Sequence, residues 1–207
     1  MTLEQRRHAM NDRERKNLVA EATQYVAHTI RDVGDVAGAI VDTTSKVLIH
    51  ALGNTRATGS ELRALIGDTV MGTLLGVAQV GGEVESAAGS IMVGALRGAA
   101  LMGKTGVEAV SGSASALVKG AFEVGGDVGR TARYAVEGAI QGARDVGMTA
   151  ELAASAAASG AMVGAGEISE AALDQVRSVV TTTISGIKVV ITEPFHDASQ
   201  ANPYRAG

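Results

Sequence analysis

The sequence predicts an all-α protein. Its helices are expected to be long, amphipathic and of the undecad type, with Gly and Ala on their packing faces. They are either continuous or folded into helical hairpins, and they assemble as a bundle or filament. Three observations predict this: a 22-residue period, an apolar stripe that keeps its phase across that period, and glycines held in one register.

The first segment, 1–32, is rich in charge, with Arg6, Arg7, Arg13, Arg15 and Lys16 set among acids. It reads as a solvated helix, with docking to a partner as the sharper alternative. The next, 33–58, is a degenerate copy of the unit repeated in 59–190. "VGDVAGAIVDTTSKVLIHALGN" fits the period if the four residues at 55–58, "TRAT", are an insertion. Four residues make roughly one helical turn, which a continuous helix absorbs as a stutter. His50 stands in this copy where later copies carry glycine.

Residues 59–190 divide into six tandem copies of 22, beginning at Gly59, Gly81, Gly103, Gly125, Gly147 and Ser169. The eighteenth position is glycine in all six: Gly76, Gly98, Gly120, Gly142, Gly164 and Gly186. The fourteenth is Gly72, Gly94, Ala116, Gly138, Gly160 and Thr182. The sixteenth is always apolar (Leu74, Leu96, Val118, Ile140, Met162, Ile184), and so is the last, from Val80 to Val190. Six turns in 22 residues is about 3.67 residues per turn. Apolar positions at steps of three and four then form one stripe along a helix.

Because the stripe never loses phase, a continuous or barely broken helix is the first expectation. It would reach on the order of 200 Å at 1.5 Å per residue. Hairpins are the second. The joins "VGGEV", "MGKTG", "VGGDV" and "VGMTAE" resemble helix ends, with Gly suited to the position after a C-cap and Ser, Thr or Asp suited to an N-cap. No strand alternation is evident. Glycine inside a helix costs about 1 kcal/mol against alanine, so its repetition implies a return. Glycines at positions 14 and 18 make a G-x-x-x-G groove where another backbone can lie, a glycine zipper. The candidate helix-packing residues are therefore Gly72, Gly76, Gly94, Gly98, Gly120, Gly138, Gly142, Gly160, Gly164 and Gly186. The final segment, 191–207, holds both prolines and reads as a flexible tail, with Phe195 and Tyr204 as candidate anchors for a partner.

Composition narrows the function. With 27 Gly, no Trp and only 2% aromatics, the 46% of apolar residues are mostly small, which suits thin helix-to-helix contacts. A net charge of −4 argues against nucleic acid as a partner. The chain has no cysteine, hence no disulfide and no thiolate metal site. The longest uncharged run is 15 residues, 152–166, short of the roughly 20 a spanning helix needs. A cytoplasmic protein is expected, with a position peripheral to a membrane or granule as the alternative.

"GAALMGKT", residues 98–105, matches the phosphate-binding pattern G-x-x-x-x-G-K-[ST]. Yet Gly98 and Gly103 are the eighteenth-position and first-position glycines of the repeat, and they recur where no Lys-Thr follows. A phosphate loop also follows a strand. The match is read as coincidence. His8, His28, His50 and His196 lack metal-ligand spacing, and "EPFHD" falls in the tail. No catalytic constellation is evident, and no cofactor or metal is expected.

The stretch "VAQVGGEVESAAGS" and the undecad stripe resemble, in period and composition, the eleven-residue repeats of synucleins and perilipins, and those of apolipoprotein and desiccation-protein helices. The likeness covers the repeat region. In synucleins and perilipins such repeats lie as helices on lipid, so the resemblance implies a coat for a membrane, lipid body or storage granule. The sequence departs from that pattern in its charge. Its copies hold more acids than bases, with Lys104, Lys119 and Lys188 the only lysines, whereas lipid-surface helices favour a basic flank. The expected function is a non-enzymatic structural or scaffold protein, self-associating through glycine-faced helices into a bundle, stalk or filament, with itself as partner. The alternative is an amphipathic coat on a lipid or granule surface.

Overall fold

The structure, a computed structural model, describes residues 3–30, 35–53, 59–103 and 106–191. It is all-α in class. The described helices are α1 (Leu3–Ile30), α2 (Val36–Gly53), α3 (Gly59–Gln79), α4 (Val84–Leu101), α5 (Val107–Glu123), α6 (Val128–Gly142), α7 (Ala150–Gly166) and α8 (Glu170–Val180). A 3-10 turn, Ala143–Val146, follows α6.

The expectation of one continuous helix is overturned at the joins. Gly59, Gly81, Gly103, Gly125 and Gly147, the first residues of five copies, all have φ between +58° and +76°. A right-handed helix cannot pass through that conformation, and glycine enters it without a Cβ clash. The hydrogen bonds complete the stop. After α5, Gly126 N–H donates to the Ala121 carbonyl at 2.7 Å and Gly125 N–H to Phe122 at 3.1 Å, the two-bond closure of a Schellman motif. The same pair closes α3, through Gly82 to Val77 and Gly81 to Ala78. Four of the described helices start on a side-chain cap, the first being α2, where Asp35 accepts from Gly38 N–H. Asp127 accepts from Arg130 N–H, Thr149 from Leu152 N–H and Ser169 from Ala172 N–H.

Short joins turn each helix back on the one before, and the helices sort into two rows. One row is α1, α3, α5, α7 and the other α2, α4, α6, α8, with each helix packed most heavily on the helix two places away. The apolar stripe faces inward between the rows. Ile66, Val70, Leu74 and Val77 of α3, Val84, Ala88, Met92 and Leu96 of α4, and Val110, Ala114, Val118 and Ala121 of α5 are all buried. In α7 the same layer is filled almost wholly by alanine, including Ala154, Ala158 and Ala165. Buried threonines return their hydroxyls to the carbonyl four residues back, as Thr44 does to Ile40 and Thr73 to Thr69.

The last copy departs from the helical expectation. After α8 the chain forms a small antiparallel hairpin, β1 (Thr183–Ile184) and β2 (Ile187–Lys188). Ser185 at φ +50° and Gly186 at φ +79° make its turn. Two left-handed residues in succession suit a two-residue hairpin. Ile184 and Val189 are buried against the end of the core.

Candidate functional site

The expected packing glycines can now be located. A Cβ placed on Gly72 would meet the Val19 carbonyl oxygen at 2.6 Å, and on Gly76 the Thr23 oxygen at 2.7 Å. Gly94 lies over the Val41 oxygen at 2.5 Å and Gly98 over the Ser45 oxygen at 3.0 Å. Gly138 lies over Gly89, Gly160 over Ser111, and Gly164 over the Ser115 oxygen at 2.6 Å. Gly120 faces side chains instead, Met71 Sδ at 2.8 Å and Leu74, and Gly142 faces Leu96 at 3.3 Å. Each of these faces the preceding helix of its own row. Gly186 is the exception: it sits in the hairpin turn with nothing within 4 Å. Its assignment to helix packing is corrected on that ground.

The spacing of these contacts is constant. Gly72 over Val19 and Gly94 over Val41 span 53 residues, and Gly138 over Gly89 and Gly160 over Ser111 span 49. The difference is the four residues 55–58, which lie outside the described residues. Three glycines on these faces were not singled out from sequence. Gly89 lies beneath Gly138, and Gly112 faces Arg63. Gly67 faces the Ala116 Cβ at 3.6 Å. Ala116 is one of two fourteenth positions that are not glycine, Thr182 being the other, and Gly67 of the facing helix α3 supplies the space there. The signal was available as position 9 of the copy two places earlier.

Polar ties follow the same rows. Arg15 of α1 holds Asp68 of α3 through two bonds, 2.7 and 2.9 Å. Arg97 of α4 meets Asp145 at 2.7 Å, and Lys119 of α5 pairs with Glu167 at the end of α7. Glu85, in the first turn of α4, accepts from the Asp127 backbone N–H at 3.1 Å. That bond, then its own backbone N–H, holds the Glu85 carboxyl below the ordinary carboxylate range, with Arg130 adding to the effect. Partial burial and the Asp127 charge oppose it.

Along the outer side of the first row runs a groove of about 690 Å³. Its floor is α5, with Ser111, Gly112, Ser115 and Ala116. α3 walls it with Arg63 and Met71, α7 with Leu152 and Val163. Beside these small side chains the floor also carries Glu108 and Lys119, the latter paired with Glu167.

The phosphate-loop match falls on the end of a helix. Gly98 is buried in the last turns of α4, and Gly103 is the left-handed residue that follows it. Lys104 and Thr105 lie outside the described residues. The phosphate pattern calls for a loop that leaves a strand, whereas its first residues here, from Gly98 to Leu101, are the last turn of α4. His28 and His50 are exposed on α1 and α2; the expected tail sites, with Phe195, His196 and Tyr204, lie outside the described residues. No family model matches the chain, and neither a curated protein nor a solved structure matches it. No helix among the described residues is long and apolar enough to cross a membrane.

Proposed function

We propose that this chain is a non-enzymatic structural or scaffold protein. Its glycine-faced helices associate with one another to form a bundle, and the outer faces of that bundle carry it into larger assemblies with copies of itself. One observation carries the bundle: the buried glycines of α3, α4, α6 and α7 rest on the backbone of the neighbouring helix of the same chain, so assembly with further copies falls to the exposed outer faces. The alternative is a coat on a membrane, lipid-body or granule surface. It would require the two rows to part, because the apolar stripe of α3 to α6 is turned inward.

Two measurements on the purified chain separate these readings. Sedimentation across a wide concentration range is expected to show association, and a monomer throughout would sink the scaffold. Circular dichroism is expected to show high helix content in buffer with little change on adding vesicles. Low helix in buffer and a large gain on anionic vesicles would favour the coat.

A further inference from the structure

From the groove on the outer side of the first row we infer that the chain's own last segment, 192–207, docks there as an extended strand on its own molecule. Those residues lie outside the described ones. The inference goes beyond the scaffold reading and holds whether or not copies of the chain associate.

Connectivity brings the segment to one end of the groove. Each helix reverses on the one before, so α8 ends at the level where α6 ends and α7 begins. There β1 packs on α6, β2 packs on α7, and Ile191 packs against the core. Leu152, Val107 and Arg63 stand at the same level, in the first two turns of α7, α5 and α3, and all three line the groove. Phe195 comes four residues after Ile191, a reach of up to about 14 Å. Neighbouring helices lie about 8–10 Å apart, so Phe195 reaches Leu152 and Val107, which are 47% and 42% exposed. Tyr204 follows nine residues later, a further reach of about 30 Å. Leu152 and Val163 are separated by only about 16 Å along α7, so the segment spans the groove with slack. Tethering this close also gives it an effective concentration of about millimolar, which favours it over the same segment of a second copy.

Segment and groove match in chemistry. Phe195 and Tyr204 supply bulky apolar groups in a chain poor in them, and Leu152, Val107 and Val163 supply the exposed apolar contacts. Arg63 leans over Gly112 of α5 and forms no ion pair among the described residues. Asp197, two residues past Phe195, is the acid placed to meet it. Pro194 and Pro203 suit an extended course and oppose a helix. An extended backbone needs partners for its N–H and C=O groups. Ser111 and Ser115 of α5 and Ser155 and Ser159 of α7 offer hydroxyls to it, and those of Ser115 and Ser155 make no hydrogen bond among the described residues. Serines one helical turn apart are about 6 Å apart, close to the roughly 6.6 Å between alternate residues of a strand.

The chain has no Trp, so Tyr204→Trp places a single reporter in the segment. The test is tryptophan emission and acrylamide quenching of the full chain carrying Y204W. It is repeated with L152K/V163K added, with Asp197→Lys added, and with Phe122→Lys added as an exposed control outside the groove. Y204W alone is expected to emit to the blue of free tryptophan and to resist quenching, equally at all protein concentrations. L152K/V163K is expected to return emission and quenching to solvent values, with unchanged helix content by circular dichroism because both positions are exposed. Asp197→Lys, which alters no residue of the bundle, is expected to move both readouts the same way, and Phe122→Lys is expected to change neither. Solvent-like emission from Y204W alone would overturn the inference. So would burial that survives both L152K/V163K and Asp197→Lys. Burial that grows with protein concentration would put the segment on a second copy and overturn docking within one molecule.

Discussion

Gly94 and Gly166 are both helical glycines, and they act on the fold in opposite ways. A Cβ on Gly94 would strike the Val41 carbonyl oxygen at 2.5 Å, and backbone cannot move aside as a side chain can. At Gly166 the nearest atom is Leu173 Cδ2 at 3.9 Å, an ordinary contact. Gly94→Ala is therefore expected to destabilise by about 1–3 kcal/mol through overpacking. Gly166→Ala is expected to be neutral or to stabilise by up to about 1 kcal/mol through helix propensity. Urea denaturation of the two variants checks both, and equal effects would mean that close approach is not what Gly94 provides. The register that marks Gly94 was legible in the sequence. The difference between a glycine that is needed and one that is tolerated was not, because it depends on an atom some fifty residues away. Gly186 makes the same point: it shares the register of Gly98 and Gly142, yet turns a hairpin.

At the level of elements, the joins decide the architecture. α3 follows α2 across residues 54–58, which include the four-residue excess at 55–58. Contacts on both sides of that join keep one packing register apart from those four residues. Removing 55–58 would leave Asn54-Gly59-Ser60-Glu61, close in type to the join Val80-Gly81-Gly82-Glu83. The shortened chain is expected to fold with a stability within about 1 kcal/mol of the parent, since the shortened join would match in sequence type one that already turns a later hairpin. A melt lowered by tens of degrees would show instead that the excess residues are structural. A second join is sensitive to pH. Glu85 ties the start of α4 to the start of α6 through the Asp127 N–H. Its folded pKa is depressed, so its contribution is present above the unfolded pKa and is lost as pH falls through the folded pKa. Glu85→Gln is expected to lower stability most at neutral pH and to flatten the acid limb of the stability–pH curve, so that variant and parent converge as pH falls below the ordinary glutamate range. An unchanged acid limb would assign that limb to other carboxylates.

Across the whole molecule, stability follows position in the two rows. α3, α4, α5 and α6 each have a neighbour on both sides within their row, whereas α1, α2, α7 and α8 stand at the row ends. In such arrays stability is close to a sum of unit and neighbour terms, so the ends open first. Amide hydrogen exchange is expected to be slowest in α4 and α5 and faster in α1 and α8. Uniform protection along the chain would mean that the array opens as a single unit. The ion pairs Arg15–Asp68, Arg97–Asp145 and Lys119–Glu167 run along the rows but are largely exposed, and they add little to this gradient.

The helical class, the buried stripe and the sites of the joins were all determined by the sequence alone. Apolar spacing of three and four residues favours a helix, though the end of the last copy keeps that spacing and still forms a hairpin, and first-position glycines mark where a helix can stop. Whether the helix does stop there was decided only by the tertiary structure. A 22-residue period keeps its phase equally well along one rod or around a series of hairpins, so periodicity cannot distinguish them. Left-handed glycines at the joins break the tie by reversing the chain. Reversal then makes the helix two places back the nearest one in the same row, so the glycine faces are satisfied within one molecule.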